Sequence, residues 1–190
     1  QILKAVKFHF RIFGKMPQGS WPSEGSVCPE VIPFLADAGL RWIATDEDIL
    51  LNSMPMLSRK DALYRSYIAA SEGREIGIVF RDKEISNLLS FTFARMDAAA
   101  AVDSLFKRFK AIHDVSEGRN ESALVTIILD GENPWEYYPE GGRHFLSELY
   151  SRLSKSSDFM TVRISDDLDR HPPRQRIHNL YSGSWINHDF

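Results

Sequence analysis

The sequence predicts an α/β fold built around a parallel sheet or barrel. Short apolar runs rich in β-branched residues alternate along the chain with segments that have helical spacing. The run LVTIIL (124–129) is apolar almost throughout, as in strands that are covered on both faces of a parallel sheet. Acidic residues follow several of the runs, at the strand ends where the active sites of such folds lie.

The individual elements follow from apolar spacing and from the residues that begin or end helices. In residues 29–39, Pro29 suits a first helical turn and Gly39 a C-terminal stop. Residues 40–45 predict a strand, and the acids of 46–50 suit the N-terminus of a helix that follows it. The remaining assignments are strands at 75–80, 124–129 and 160–164, helices at 98–114 and 142–155, and loops at 116–122 and 167–176.

Composition and charge limit the class of protein. A chain of 190 residues with 43% hydrophobic content is long enough for one sizeable core, so we expect a single domain over residues 1–190. The net charge of -3 comes with no block of Lys and Arg, so we expect no nucleic-acid partner. The single Cys28 cannot form an internal disulfide, and no apolar run approaches the roughly 20 residues of a membrane helix. We therefore expect a cytoplasmic protein without a membrane partner.

Carboxylates and tryptophans recur together after the predicted strands. Asp130 follows 124–129, Arg81 and Asp82 follow 75–80, Asp46 and Glu47 follow 40–45, and Glu24 follows the short stretch 19–23. The nearby tryptophans are Trp21, Trp42 and Trp135. Carboxylates accept hydrogen bonds from hydroxyl groups, aromatic faces pack on sugar rings, and two acids can divide the work of glycosidic cleavage. The pattern therefore predicts a carbohydrate site.

Each of these residues also has a structural interpretation. Asp130 can cap a helix that follows a strand, and the acids at 46–47 suit a first helical turn. Trp42 lies inside an apolar strand and can belong to the core, and Arg81 can form a structural ion pair with Asp82. The six histidines include no close pair at metal-ligand spacing, so we expect no metal and no cofactor.

Five segments together resemble the catalytic domain of glycoside hydrolase family 57. They are GSWPSEGSV, RWIATDEDIL, the FRD at 80–82, LDGENPWEYYPEGG and the late GSWI, and they occur in the family's order. The resemblance implies an incomplete seven-stranded (β/α) barrel of the glycoside hydrolase and deacetylase type, acting on α-1,4-glucans such as starch, glycogen and maltooligosaccharides. The family's N-terminal His-Gln-Pro type motif does not occur in these residues. We therefore expect a partial catalytic barrel domain, truncated at its N-terminus and lacking its first strand.

The resemblance also implies a retaining mechanism with a covalent glycosyl-enzyme intermediate. The family's nucleophile falls on Glu24 and its general acid/base on Asp130. Glu24 must be ionised to attack the anomeric carbon, whereas Asp130 must carry the proton for the leaving oxygen. Around this pair, we expect sugar-binding or charge-orienting roles for Trp21, Trp42, Asp46, Glu47, Arg81, Asp82, Glu132, Trp135 and Trp185. Arg81 is also expected to keep Glu24 ionised, since a nearby guanidinium favours the charged carboxylate.

Other activities and classes stay open at this point. Hydrolysis, disproportionation and branching share the same intermediate, and the motifs do not separate them. A non-catalytic carbohydrate-binding domain would keep the fold, although it has no need of two acids placed for cleavage. A polysaccharide deacetylase would need a metal held by an Asp and paired His residues, and the chain lacks that pair. The oligomeric state does not follow from the sequence.

Overall fold

The computed structural model describes residues 1–118 and 122–186, and within them it confirms the predicted α/β class. The helices are α1 (Ile2–Phe13), α2 (Ile32–Asp37), α3 (Glu47–Ser53), α4 (Arg59–Ala62), α5 (Lys83–Asn87), α6 (Ala98–Glu117), α7 (Asn133–Glu136), α8 (Arg143–Lys155) and α9 (Ile164–Arg170). The strands are β1 (Gly19–Ser20), β2 (Trp42–Asp46), β3 (Tyr67–Ser71), β4 (Arg74–Arg81) and β5 (Arg176–Ile177).

The strands of the described ranges form one five-stranded sheet in the order β1-β2-β4-β3-β5. Strands β1, β2 and β4 are parallel, and the register of β2 with β4 places Asp46 opposite Arg81. These two residues end their strands, so a carboxylate and a guanidinium lie side by side at one edge of the sheet.

The expectation of a purely parallel sheet is wrong for β3, which pairs antiparallel with β4 and parallel with β5. The β3–β4 connection is a tight hairpin whose central residues, Glu72 and Gly73, have φ values of 48° and 74°. Two central residues with positive φ give a turn whose twist matches the right-handed twist of the antiparallel strands that it connects. The Glu-Gly pair between two apolar runs was therefore a hairpin signal. It was overlooked because strands were expected to alternate with helices.

Two predicted strands do not form. Residues 124–129 form no regular strand, and only Thr126 lies in an isolated β-bridge. The Thr126 carbonyl accepts from the Asp82 N–H at 2.8 Å, and the Ile128 N–H donates to Ser86 Oγ at 3.2 Å. The predicted strand at 160–164 is also wrong, since α9 begins at Ile164 with two acids in its first turn. Helix α9 also replaces the first part of the loop predicted at 167–176.

The loop predicted at 116–122 is only partly described. Residues 116 and 117 belong to the last turn of α6, whereas residues 119–121 lie outside the described residues. Helix α6 is otherwise the helix that its alanine-rich start predicted, and Asp97 caps it by accepting from the Ala100 N–H at 3.1 Å.

The chain divides into two compact units. The first comprises Gln1–Arg81 and Arg163–Phe190, and its core packs buried residues of the sheet such as Ile43, Ile78 and Tyr67 against the buried residues of α2 and α3. The second comprises Asp82–Val162, where buried residues of α6 and α8 include Leu105 and Phe145. The single-domain interpretation stays a prediction.

Helix α1 was not predicted. It ends at Gly14, whose left-handed conformation lets its N–H donate to the Phe10 carbonyl at 2.8 Å. Of its residues only Val6 is buried, and apolar side chains such as Phe8 and Phe13 are exposed. No helix in the described ranges has both the length and the apolar character that crossing a bilayer requires.

Candidate active site

Glu24 lies in a short turn, Ser23–Gly25, that follows β1. Its φ of 55° is left-handed, and the next residue, Gly25, has a φ of 63°. A left-handed residue other than glycine costs roughly 1–2 kcal/mol, so the surrounding bonds must hold the turn in place. One of them is a hydrogen bond of 2.6 Å from the buried Thr45 hydroxyl to the Gly25 carbonyl. The strained turn presents the Glu24 side chain to solvent.

Trp185 binds Glu24 through two hydrogen bonds. Its backbone N–H donates to the Glu24 carbonyl at 3.1 Å, and its indole Nε1 donates to Glu24 Oε2 at 2.5 Å. The segment that carries Trp185 is fixed just before it, because Gly183 and Val27 exchange backbone hydrogen bonds of 2.9 and 3.0 Å. Pairing between backbone segments therefore determines where the indole N–H points.

A second tryptophan lies beside this pair. The rings of Trp21 and Trp185 meet edge to face, with their centroids 5.2 Å apart. Trp21 also covers Gly25, where an added Cβ would lie 2.6 Å from the Trp21 ring. Both indoles are half-buried, so the Glu24 carboxylate emerges next to a partly exposed aromatic surface.

Arg81 contacts the same tryptophan from the end of β4. Its Cζ lies over the Trp185 ring, 5.2 Å from the centroid, and its Nη1 donates to Asp46 Oδ2 at 3.1 Å. The ion pair is buried, with 6% of the Arg81 side chain and none of the Asp46 side chain exposed. Trp185 thus contacts both Arg81 and Glu24.

The two acids after β2 have structural partners. Asp46 Oδ1 accepts from the Asp48 N–H at 3.1 Å and so caps α3, at the helix start where the structural interpretation placed the acids 46–47. Glu47 is buried and accepts a bidentate pair of bonds from Arg59, at 2.9 and 2.8 Å. A paired, buried carboxylate is poorly available to a sugar hydroxyl. The sugar-binding roles predicted for these acids stay predictions.

Trp42 lies at the other end of β2 from Asp46. Its indole donates to Ser165 Oγ at 2.8 Å, and the backbone of Gly19 lies so close that a Cβ there would be 2.0 Å from the Trp42 ring. Glycine at position 19 is therefore a packing requirement. These contacts match the interpretation of Trp42 as a half-buried packing residue, and its role as a sugar platform stays a prediction.

The remaining predicted acids belong to the second unit. Asp130 and Glu132 are exposed, and Asp130 Oδ2 accepts from Asn133 Nδ2 at 2.9 Å. Asp82 is buried and caps α5 by accepting from the Ile85 N–H at 2.9 Å. Asp130 follows an irregular segment rather than the strand that the apolar run predicts.

Trp135 packs inside the second unit. Its ring centroid lies 5.3 Å from that of Tyr138 and 6.5 Å from that of Phe145, and a Cβ at Gly142 would lie 2.7 Å from the ring. The Tyr138 hydroxyl donates to the Leu89 carbonyl at 2.7 Å, and burial raises the pKa of Tyr138 to about 12. Trp135 is half-buried in this cluster, and its role in sugar binding stays a prediction.

Potential metal-ligand atoms approach one another on α6. His113, Asp114 and Glu117 bring one ligand atom each within 4.8 Å of the others. The two acids are exposed, and Lys110 donates to Asp114 Oδ1 at 3.2 Å. Hydrogen bonds from Lys110 and His113 lower the pKa of Asp114. The cluster therefore has the character of a solvated ion-pair network.

The structure thus brings together the predicted residues Trp21, Glu24, Asp46, Arg81 and Trp185 within the first unit. Sequence reasoning missed Thr45 and Arg59, which fix the Glu24 turn and the Glu47 carboxylate. Thr45 offered a weak signal, as a polar residue in a strand next to Asp46. Arg59 offered none, because it lies 12 residues after its partner.

The structure is similar to a solved structure of a family 57-type branching enzyme from the hyperthermophilic archaeon Pyrococcus horikoshii, with a TM-score of 0.78 and 18% sequence identity. The similarity covers 97% of this chain and 44% of the branching enzyme chain. The chain therefore has the fold of that enzyme's corresponding part. The sequence model of glycosyl hydrolase family 57 matches residues 1–179, and the chain belongs to that family.

Two curated relatives cover nearly all of the chain. A 4-alpha-glucanotransferase from Thermococcus kodakarensis is 24% identical over 93% of this chain and 25% of its own length. Alpha-amylase 1 from Dictyoglomus thermophilum is 22% identical over 94% of this chain and 24% of its own length. The chain spans about a quarter of the length of these relatives.

Proposed function

We propose that the protein is a retaining glycoside hydrolase or transglycosylase that acts on α-1,4-glucans, such as starch, glycogen and maltooligosaccharides. Membership of glycosyl hydrolase family 57 supports the reaction class, and relatives named as a glucanotransferase and an amylase support the substrate class. We further propose that the sheet is part of the incomplete seven-stranded barrel that the family resemblance implies.

The Glu24 environment is the observation that carries this proposal. An exposed carboxylate on a strained turn, bonded to an indole N–H and bordered by aromatic rings, has what an attacking group at a sugar ring needs. A nucleophile must be fixed in direction before substrate arrives, because alignment supplies much of the rate enhancement. Backbone strain also concentrates at functional sites, where it is maintained by surrounding bonds.

In the proposed reaction, a Glu24 carboxylate oxygen attacks the anomeric carbon of the glucosyl unit. The bond from that carbon to the glycosidic oxygen breaks, and Asp130 gives its proton to the departing oxygen. Asp130, now a carboxylate, then takes a proton from water or from a sugar hydroxyl. The oxygen of that acceptor attacks the same carbon and releases Glu24, so the α configuration is retained. Water gives hydrolysis, and a sugar hydroxyl gives glucan transfer.

Azide rescue of full-length variants tests the two roles separately. The substrate is a 2-chloro-4-nitrophenyl α-maltooligosaccharide, whose leaving group needs little help from an acid. In Glu24→Ala, azide replaces the missing nucleophile and attacks from the opposite face, so the expected product is the β-glycosyl azide. In Asp130→Ala, the glycosyl-enzyme still forms and azide opens it, so the expected product is the α-glycosyl azide.

Asp166→Ala is the matched control, because this half-buried acid of α9 pairs with Arg163. It should leave turnover unchanged and give no glycosyl azide. If both active-centre variants give the same azide anomer, the division of roles is wrong. If the wild-type protein binds maltooligosaccharides but never cleaves or transfers them, the protein is a carbohydrate-binding domain on the same fold.

A further inference from the structure

We propose that Trp185 is a positioning residue for the nucleophile: its indole N–H holds one oxygen of Glu24, and Arg81, anchored by Asp46, holds the indole. The inference rests on the proposed function and adds to it. It assigns Trp185 a task other than stacking on a sugar ring.

The Trp185 indole holds the Glu24 carboxylate through a hydrogen bond. The Trp185 Nε1 donates to Glu24 Oε2 at 2.5 Å, and within residues 1–118 and 122–186 no donor is bonded to Oε1. An N–H bonded to a carboxylate oxygen is among the stronger hydrogen bonds in proteins and restricts side-chain rotation. Oε1 is therefore the oxygen left to form the bond to the anomeric carbon.

The indole is in turn held by the protein. The Arg81 Cζ lies 5.2 Å from the centroid of the Trp185 ring, and the guanidinium is itself fixed by the buried Asp46. The edge of Trp21 lies against the same ring system. A ring that is already occupied in this way has less surface to offer a sugar, but it is well restrained as a hydrogen-bond donor.

Backbone hydrogen bonds place Trp185 beside Glu24. Gly183 pairs with Val27, and the Trp185 N–H then bonds the Glu24 carbonyl. Donor and acceptor therefore belong to two segments that are joined on both sides of the side-chain bond. Such a preformed arrangement is what orientation of a reacting group requires.

A substitution that removes only the N–H separates positioning from stacking. Replacing Trp185 with β-(3-benzothienyl)alanine keeps a ring of nearly the same shape and puts sulfur in place of the N–H. The full-length protein is treated with 5-fluoro-α-glucosyl fluoride, which forms a slowly hydrolysed adduct on a nucleophilic carboxylate and needs no general acid. We expect adduct formation on Glu24 to slow about 10- to 100-fold, with KM for maltooligosaccharides unchanged.

Two genetically encoded variants accompany this replacement. Trp185→Phe keeps an aromatic ring without the donor and should show the same loss of kcat. Tyr67→Phe is the control, because it also removes a hydrogen-bond donor from an aromatic side chain, here from a buried bond to the Ala62 carbonyl, and should leave the labelling rate unchanged.

The outcomes distinguish this inference from the proposed function. Labelling of Glu24 at an unchanged rate in the benzothienyl variant overturns the positioning role, and a rise in KM with kcat unchanged assigns Trp185 to sugar stacking instead. A wild-type protein that is never labelled at Glu24 overturns the proposed function, and the inference fails with it.

Discussion

The indole Nε1 of Trp185 donates a hydrogen bond of 2.5 Å to the carboxylate of Glu24, although the two residues are 161 positions apart. The same tryptophan also bonds the Glu24 carbonyl through its backbone N–H. The turn that carries Glu24 and the segment that carries Trp185 therefore form one local structure. The backbone strain at Glu24, the packing of Trp21 against Gly25 and the buried ion pair of Arg81 with Asp46 each lead to a prediction that can be measured.

Replacing Glu24 with glycine should give a more stable protein than replacing it with alanine, by about 1 kcal/mol, because only glycine adopts a positive φ without strain. Both variants lose the carboxylate, so their difference isolates the backbone. The measurement is urea-induced unfolding. The same pair of substitutions at Glu148, in the interior of α8, should have the opposite sign, since glycine is a poor helix former. Equal stabilities at position 24 would mean that the turn is not strained.

Gly25→Ala should destabilise the protein more than Gly73→Ala. Both glycines have positive φ, but an added methyl group is in open space at Gly73 and lies 2.6 Å from the Trp21 ring at Gly25. We expect the backbone alone to cost roughly 1–2 kcal/mol and the overpacking to add roughly 1–3 kcal/mol. Thermal unfolding gives the stabilities, and near-ultraviolet circular dichroism should change only for Gly25→Ala. Equal losses at the two sites would contradict the contact with Trp21.

Arg81→Met should cost about 3–5 kcal/mol, because it leaves Asp46 buried without its cationic partner. Asn can also cap a helix, so the stability that is lost in Asp46→Asn reports mainly on the missing charge of Asp46. Urea unfolding of both variants and of the double variant gives their coupling energy. Arg74→Met is the control, because Arg74 starts the same strand and pairs with Asp37 at an exposed site. Arg74→Met should lower the stability much less than Arg81→Met. Similar losses of stability in the two variants would count against a buried ion pair of Arg81 with Asp46.

Tyr138→Phe should lower stability at neutral pH by about 1–2 kcal/mol, because the buried Leu89 carbonyl loses its donor. Alkaline pH adds a second signature. Burial raises the pKa of Tyr138 to about 12, above the usual value of about 10, so its contribution is complete below about pH 10 and is lost as the pH rises through about 12. Stability should therefore fall more steeply over that interval in the wild type than in the variant. Parallel pH curves would show that Tyr138 titrates normally.

Acids at the start of a helix depend on a few neighbouring residues, so the sequence could place Asp46 and Glu47 at the N-terminus of α3. Asp46, Asp82 and Asp97 each begin a helix by accepting from an N–H two or three positions later. The same local logic was wrong for 124–129 and 160–164. An apolar run becomes a strand only when a neighbouring backbone is free to pair with it, and the run does not specify that neighbour.

The sequence by itself determined the α/β class, the acidic start of α3 and the motifs that carry Glu24, Asp46, Arg81 and Trp185. The tertiary structure alone decided that Arg81 pairs with Asp46 and lies over Trp185. The expected effect of Arg81 on the charge of Glu24 stays a prediction. The register of β2 with β4 places Asp46 opposite Arg81, and the backbone pairing of Val27 with Gly183 brings Trp185 to Glu24. Both depend on which distant segments share hydrogen bonds. Local spacing contains no information about that choice, because it follows from packing the whole core.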